Sequence, residues 1–522
     1  MPKLTIDGQE VEAQAGATIL QTVLSQGRVV PHYCYHPGLS IAGNCRMCLV
    51  EVEKAPKLVI GCATVVTEGM VVRTESEPVK KARAAMMEFF LLNHPLDCPI
   101  CDQAGECKLQ DYAVEHGRGV SRSVEPRPSF NKAVDIGPHV MLDQERCIQC
   151  SRCIRFCDEV TRTGELAFFS RGDHTVIGVA PGRPLDNAYS GNVVDICPVG
   201  ALTLKEFRFQ TRVWYLKNTP SACVACARNC SVLVGTGTQR EIMTTSGQQD
   251  ERIKRLVPRY NPEVNGHWMC DIGRLSWMHQ YEAPRLAQAK VGGEAASWDA
   301  AVARAAEVLR SAPKGKVALS LSPRLTCEDL YAWRLLAEAL PAQVAVRRIV
   351  RGRDDALLLR ADKGGNAQGA SWILGPGALD RPAGAADVLV VVGDPLDPAD
   401  TPPPVAGRQV LFVGPHEMAA TQGAAVALPS AAWSEENGIV VNFQGHAQRV
   451  QRAHLPHGEG RPGWRIVLDV AEALGLGLPA WTSAAEVFAA AAAAVPELAG
   501  LTHADIGILG VRAGGVSAGA GA

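Results

Sequence analysis

Residues Cys147–Cys157 read CIQCSRCIRFC, four cysteines in the pattern C-x2-C-x2-C-x3-C. Reading outward from this run, the chain holds 17 cysteines in 522 residues; sixteen lie before residue 271 and only Cys327 lies beyond. Thiols at this density either pair as disulfides or bind metal. Disulfide frameworks belong to small secreted domains. This chain is long and opens on MPKLTIDGQEVEA, an alternating strand pattern. That opening has neither the charged and apolar regions of a secretion leader nor an Arg/Ser-rich transit pattern. Metal or redox chemistry is therefore expected, in a soluble cytoplasmic chain of several domains. The net charge is −2, with both signs mixed throughout. No basic stripe suits nucleic acid, and no apolar run is long enough to span a membrane.

In an iron–sulfur run of the Cys147 type, as in two-cluster ferredoxins, the fourth cysteine serves another cluster. Cys157 is therefore not expected to complete the set of Cys147, Cys150 and Cys153. The completing thiolate is typically followed by proline, and Cys197–Pro198 in NVVDICPVGALT fits. No cysteine lies between Cys157 and Cys197, so a second cluster is missing. The expected [4Fe–4S] ligands are Cys147, Cys150, Cys153 and Cys197, with Cys157 a buried orphan.

Upstream, NHPLDCPICDQAGECKLQD places His94 ahead of Cys98, Cys101 and Cys107, behind a helix-like stretch Val79–Leu92. Three thiolates leave one ligand position open, and His94 is the candidate fourth donor. A neutral imidazole in place of a thiolate raises a cluster's potential. The alternative is a structural histidine. Further upstream, Cys34, Cys45, Cys48 and Cys62 follow C-x10-C-x2-C-x13-C. Four thiolates suffice for a [2Fe–2S] cluster, two to each iron. The loop CYHPGLSIAGNCRMC is rich in Gly, Asn and Ser and can turn N–H groups towards sulfur, with Gly43 allowing close approach. Strand-like Lys3–Ile6 and Glu10–Ala13, helix-like TILQTVLSQG and strand-like CLVEVEK surround it. Zinc is the rival, but zinc sites usually use two CxxC knuckles and one is present. Downstream, Cys223, Cys226, Cys230 and Cys270 follow C-x2-C-x3-C-x39-C. Here too zinc competes, and the run with a distant fourth cysteine favours a third [4Fe–4S] cluster. Fifteen cysteines and His94 complete four sets, leaving Cys157 and Cys327. Arg46, Arg152 and Arg155 lie near these ligands, either offsetting cluster charge or as solvated surface charges.

From about Ala283 the ligand clustering stops and Ala, Leu, Val and Gly dominate. SWDAAVARAAEVLRSA reads as an amphipathic helix capped by Ser297. GKVALSLSP reads as a buried strand. A helix over Thr326 to Leu340 follows, with Thr326 and Asp329 spaced as a capping box. DVLVVVGDPLDP and QVLFVGP read as strand–turn units, so strands alternate with helices and imply a doubly wound parallel sheet. Cys327, at a helix start, is read as a partly buried capping-turn residue. GTGTQR and GILGVRAGG lack the spacing and helix context of a dinucleotide loop, and there is no P-loop. NADH and flavin are expected on another polypeptide.

The loop and strands around Cys34–Cys62 resemble the ferredoxin β-grasp. Together with the H-x3-C-x2-C-x5-C motif, they make the chain resemble the large iron–sulfur subunit of bacterial NADH–quinone oxidoreductase, respiratory complex I. The text TPSACVACARNCSVLVGT…NGHWMCDIGRLSW and the segment WSEENGIVVNFQGHAQRVQRA resemble molybdopterin oxidoreductases. The implied fold is multidomain α+β and α/β. It comprises a β-grasp [2Fe–2S] domain at 1–78 and a one-His/three-Cys [4Fe–4S] segment at 79–118. A ferredoxin-like [4Fe–4S] domain at 138–212 and a molybdopterin-oxidoreductase-type [4Fe–4S] domain at 216–272 come next. A truncated, doubly wound α/β domain at 283–510 and a flexible tail at 511–522 complete it. The implied cofactors are one [2Fe–2S] and three [4Fe–4S] clusters, without molybdopterin, since SPRLTCEDLYAW around Cys327 lacks the enzymes' context. The implied role is an electron conduit from a flavin-bearing, NADH-oxidising subunit to small iron–sulfur subunits near quinone. The chain would lie peripherally on the cytoplasmic side of the bacterial inner membrane, with no catalytic acid or base and no nucleic-acid partner. The alternatives are the large subunit of an NAD-linked formate dehydrogenase or related molybdopterin enzyme, a hydrogenase diaphorase subunit, and a zinc scaffold.

Overall fold

The computed structural model describes residues 1–237, 252–379, 381–382, 384–393 and 407–513. The chain divides into two compact units, Met1–Tyr215 and Leu216–Ala522. The first opens with strands β1 (Lys3–Ile6) and β2 (Gln9–Glu12), antiparallel around Asp7 and Gly8, both at positive φ (49° and 84°). A two-residue turn of that kind closes a tight hairpin, so β2 starts one residue before the expected Glu10. Helix α1 (Ile19–Ser25) begins on a reciprocal cap between Thr18 and Gln21. Strands β3 (Leu49–Val52), β4 (Val59–Ile60) and β5 (Met70–Arg73) complete a sheet of order β2-β1-β5-β3-β4, in which β1 and β5 run parallel. Ile19, Leu20 and Val23 of α1 pack with Leu4, Ile6, Val50 and Val72 of the sheet, and Cys48 and Cys62 belong to the same core.

Helix α2 (Glu77–Asn93) overruns the expected Val79–Leu92 at both ends and delivers His94 as its C-cap. Helix α3 (Lys108–His116) follows. Strands β6 (Val134–Asp135) and β7 (Val140–Leu142) come next, then α4 (Arg152–Arg155), which runs directly into a π-helical turn, Phe156–Val160. The hairpin β8 (Leu166–Phe169)–β9 (Val176–Val179), helix α5 (Asn192–Asp195) and strand β10 (Leu202–Leu204) close the unit, with sheet order β10-β7-β6.

The second unit begins with an antiparallel meander of β11 (Leu216–Ala222), β12 (Ser231–Gly237) and β13 (Ile253–Pro258), followed by α6 (Asp271–Leu275) and α7 (His279–Glu282). A hairpin of β14 (Lys290–Val291) and β15 (Glu294–Ala295) leads to α8 (Trp298–Ser311), β16 (Val317–Leu321), α9 (Cys327–Ala339) and β17 (Gln343–Val346). Then come α10 (Ala367–Leu374), β18 (Val388–Val392), β19 (Gln409–Gly414), α11 (Ala419–Gln422) and β20 (Val426–Pro429). The seven-stranded order is β15-β14-β20-β19-β18-β16-β17, with β16 to β20 mutually parallel. Among those five, the chain steps outward to β17 and then back across β16 to β18, the 2-1-3-4-5 order of doubly wound sheets. Val317, Leu319, Val390 and Leu411 face one apolar cluster with residues of α8, α9 and α10. Their neighbours Ala318, Leu389, Val391 and Phe412 face a smaller one with α11 residues and Leu286. The helical cover described on the two faces is thus unequal.

Ser297 caps α8 as expected, its Oγ accepting from Ala300 N. At α9 the expected capping box is half formed. Thr326 Oγ1 accepts from Asp329 N at 3.2 Å, but the Asp329 carboxylate accepts from Trp464 N at 2.7 Å instead of reaching back. That bond joins α9 to the start of α12 (Gly463–Leu474), which follows the antiparallel pair β21 (Gly438–Val441) and β22 (His446–Val450). Helices α13 (Ala484–Ala494) and α14 (His503–Ile506) lead to β23 (Val511–Arg512), which pairs with β22. The expected tail at 511–522 therefore needs correction: Val511–Arg512 is a strand, and buried Ala513 donates to Gly445 O at 2.8 Å. Residues 514–522 lie outside the described residues, as do 394–398 of DVLVVVGDPLDP, 238–240 of GTGTQR and 514–515 of GILGVRAGG. Among the described residues, no helix is long and apolar enough to cross a membrane.

Candidate iron–sulfur centres

The loop between α1 and β3 carries Cys34, Cys45 and Cys48, and β4 leads to Cys62; all four are buried. Their sulfurs contact one another. Hydrogen bonds from Cys45 and Cys62 hold the Cys34 thiol down, and one from Cys62 holds Cys48 down. Cys45 and Cys62 are pushed up by the same contacts and by burial. Main-chain donors also converge here: Tyr33 N lies 3.5 Å from Cys45 Sγ, and the N–H groups of Asn44 and Cys45 face Cys34. Gly43 and Arg46 have left-handed φ (62° and 56°), which winds the loop around its sulfurs.

His94 and Cys98, Cys101 and Cys107 lie between α2 and α3. Cys101 and Cys107 are buried, while Cys98 is exposed. Burial raises Cys101, with Cys98 adding to the rise, and pushes Cys107 up to about 11, with Cys101 and Cys98 adding to it. Burial, helped by Arg146, lowers His94 to about 4, so the imidazole is neutral at pH 7. Its Nδ1 is buried without a hydrogen-bond partner. A neutral ring with an unsatisfied nitrogen suits a metal donor, and Arg146 acts on both His94 and Cys101. Arg146 is itself held by Asp97 (2.8 Å) and Asp143 (3.3 Å), a buried network beside the set. Sequence reasoning missed Gly200: a Cβ there would stand 2.2 Å from Cys101 Sγ and 3.1 Å from Gln103 Cβ. Its place three residues after Cys197 was the available signal.

Cys147 and Cys150 come from the loop entering α4, Cys153 lies in α4 itself, and Cys197 follows the end of α5. Gln149 and Ser151 adopt left-handed φ (54° and 62°), and Gln149 N lies 3.4 Å from Cys147 Sγ. Burial raises the Cys153 thiol, and the sulfurs of Cys150, Cys147 and Cys197 add to that rise in this order, so the four thiols lie near one another. Cys157 acts on Cys153 last. Cys157 lies in the π-helical turn, fully buried, its own thiol raised to about 12 by burial and then by Glu165. One apolar cluster includes Cys34, Cys45, Cys107 and Cys150, with Cys147 and Cys197 at its edge. Three of the four candidate sets therefore each contribute at least one cysteine to a single core within the first unit.

In the second unit Cys223, Cys226, Cys230 and Cys270 are buried and line one cavity with Lys363. Burial raises Cys223 and Cys230, and pushes Cys270 to about 12. Arg324, Arg228 and Lys363 oppose those rises at Cys223, Cys230 and Cys270 respectively. Gly273 N donates to Cys270 Sγ at 3.3 Å, and a Cβ on Gly273 would meet Cys223 Sγ at 3.1 Å. Buried thiols raised this far become thiolates when a metal displaces their protons, so the donor chemistry fits bound iron. Among the described residues, no three His, Cys, Asp or Glu side chains close on one point as a single-ion site requires. Cys327 stands apart, fully rather than partly buried, its thiol raised by burial and not lowered by the helix start.

Of the three arginines singled out, Arg46 is exposed. Arg155 donates to the carbonyls of Cys34 and Ser40, and Arg152 to those of Tyr35 and Ile196. Solvated surface charge therefore describes Arg46 and not the other two.

Family models match four stretches. Residues 2–77 match a 2Fe-2S iron-sulfur cluster binding domain, and residues 83–122 the NADH-ubiquinone oxidoreductase-G iron-sulfur binding region. Residues 137–203 match the ferredoxin-like domain of NADH-quinone oxidoreductase subunit 3, and residues 410–473 molybdopterin oxidoreductase. The chain is thus an iron–sulfur protein with 2Fe–2S and 4Fe–4S binding domains joined to a molybdopterin-oxidoreductase-like region. Among characterised proteins it resembles the G-type subunit of NADH-quinone oxidoreductase: that of Rickettsia felis is 40% identical over 343 residues, covering 65% of this chain and 49% of the relative. The mitochondrial NADH-ubiquinone oxidoreductase 78 kDa subunit of Neurospora crassa is 41% identical over 348 residues, 65% of this chain and 45% of the relative. The G-type subunit of Streptomyces coelicolor is 38% identical over 341 residues, 64% and 39%. The chain thus spans about half or less of the length of the relatives it matches. A chain from the crystal structure of an NAD+-reducing [NiFe]-hydrogenase is 30% identical, over 41% of this chain and 91% of that one, with a TM-score of 0.37.

Proposed function

We propose that the chain is an electron conduit of NADH–quinone oxidoreductase, taking electrons from a flavin-bearing, NADH-oxidising subunit towards quinone. The ligands would be Cys34, Cys45, Cys48 and Cys62 for one [2Fe–2S] cluster. Three [4Fe–4S] clusters would use His94 with Cys98, Cys101 and Cys107; Cys147, Cys150, Cys153 and Cys197; and Cys223, Cys226, Cys230 and Cys270. Bound clusters supply reversible one-electron chemistry. The chain's own residues fix the positions, exclude water and hold charge near the sulfurs. The observation that carries the reading is one apolar core that takes in Cys34, Cys45, Cys107 and Cys150, at least one donor from each of three sets. Exposed Cys98, with Leu96 (81% exposed) and Ile100 (61%) bare beside it, suits the face where an electron leaves for a small iron–sulfur partner. Peripheral attachment to the cytoplasmic face of a bacterial inner membrane, through the complex, belongs to the same reading. So does the absence of molybdopterin.

Anaerobic purification with iron, sulfide, zinc and molybdenum analysis tests it, together with EPR of the reduced chain. Iron and sulfide for one [2Fe–2S] and three [4Fe–4S] clusters, without molybdenum, are expected. About one molybdenum or tungsten per chain would favour the formate-dehydrogenase alternative, and zinc alone would reject both.

A further inference from the structure

The Cys34–Cys62 set and the Cys147–Cys197 set share one side chain. Arg152 Nη1 donates at 3.0 Å to the carbonyl of Ile196, the residue before Cys197. Its Nη2 donates to the carbonyl of Tyr35, the residue after Cys34. Its Nε is buried without a hydrogen-bond partner. After burial, the groups acting on the guanidinium are the sulfurs of Cys150, Cys197, Cys34 and Cys45, two from each set. Arg155 differs. It donates to the carbonyls of Cys34 and Ser40 and to Ser151 Oγ, so it grips the first set's loop and its own loop between Cys150 and Cys153 and, among the described residues, makes no hydrogen bond to the Cys197 segment.

Resting on the cluster assignment above, we propose that Arg152 is a positioning residue common to two iron–sulfur centres, one cation that raises the reduction potential of both. The reason is electrostatic. Reduction adds a negative charge to either centre, and a guanidinium cannot lose its proton in a protein. Half-buried, it is screened less than a surface charge. Because its fork holds one carbonyl from each ligand loop, the cation keeps its distance to both centres, so neither potential can be altered through Arg152 alone without the other.

The test is a potentiometric EPR titration of the full chain, isolated anaerobically with its metal. Arg152→Gln should lower the midpoints of the [2Fe–2S] signal and of the Cys147-set [4Fe–4S] signal together. Arg155→Gln, which loses a bond to the Cys34 carbonyl and none to the Cys197 segment, should displace the [2Fe–2S] midpoint more than the Cys147-set midpoint. Arg152→Lys keeps the charge and loses the fork, and should restore both midpoints towards the parent values. An Arg152→Gln chain with both signals present and one or neither midpoint lowered overturns the proposal. If Arg152→Gln cannot hold its clusters, Arg152→Lys decides: both signals near parent potentials uphold the charge role, and both lost overturns it. A parent chain lacking iron and sulfide would instead overturn the cluster assignment.

Discussion

Gly200 shows how narrowly a single position can constrain a centre far away in sequence. It does not need positive φ; what it needs is space, because an added Cβ would stand 2.2 Å from Cys101 Sγ. Gly200→Ala should displace that sulfur and abolish the EPR signal of the His94 set, with the iron of one [4Fe–4S] cluster lost. A variant with the parent's iron content and spectrum would refute this. The pair Cys157 and Cys197 offers an internal control. Cys157→Ala should leave iron and sulfide unchanged, since burial and Glu165 define its surroundings, whereas Cys197→Ala should lose one [4Fe–4S] signal. Loss of that signal in Cys157→Ala would reverse the assignment. The candidate ligands were legible in the sequence because ligand spacing is local. Gly200 and Arg152 were not, because their roles depend on which distant loop folds against them: three arginines looked alike in sequence, and only the fold separates Arg152.

At the scale of elements, the Ser297 cap was legible, while the start of α2 and the strand pairings were not. Thr18 and Ser297 cap their helices through donors three residues away, a signal the sequence contains. Strand β23 has two residues and no periodicity, and it exists because β22 offers an edge. Asp329 belongs to the same lesson. The spacing suggests a local cap, yet its carboxylate holds the N-terminus of α12. Burial, with Glu328 adding to it, raises Asp329 to about 7, above the usual carboxylate value of about 4. The unfolded chain therefore ionises first as pH rises, and the native state loses stability between about 4 and about 7 through this group. The groups around it are Glu328, which is fully buried, and His503, 2.6 Å from Glu328 Oε1. Asp329→Asn keeps an acceptor for Trp464 N and removes the ionisation. Its melting temperature, followed by circular dichroism, should gain on the parent's as pH goes from 5 to 7.5. A constant difference across that range would show that Asp329 does not titrate in this window.

For the whole molecule, the two units differ in what holds them together. The sheets of the first unit have at most five short strands. Its cores include candidate ligands: Cys48 and Cys62 in one, and Cys34, Cys45, Cys107 and Cys150 in another. The seven-stranded sheet of the second unit is covered by a large cluster whose single cysteine, Cys327, is not among the candidate ligands. Metal binding is folding free energy where a core is assembled around ligands. Stripping iron with a chelator under oxidising conditions should therefore deprotect the backbone amides of β1–β10 to hydrogen exchange. The meander β11–β13, which flanks Cys223 and Cys230, should loosen with them. Strands β16, β18 and β19 should keep their protection, since Val317, Val390 and Leu411 pack without help from a ligand. Hydrogen exchange with mass-spectrometric readout, on full chains before and after iron removal, resolves the three regions separately. Uniform loss would mean that the parallel sheet also depends on the clusters, and unchanged protection in the first unit would mean that its cores stand without them.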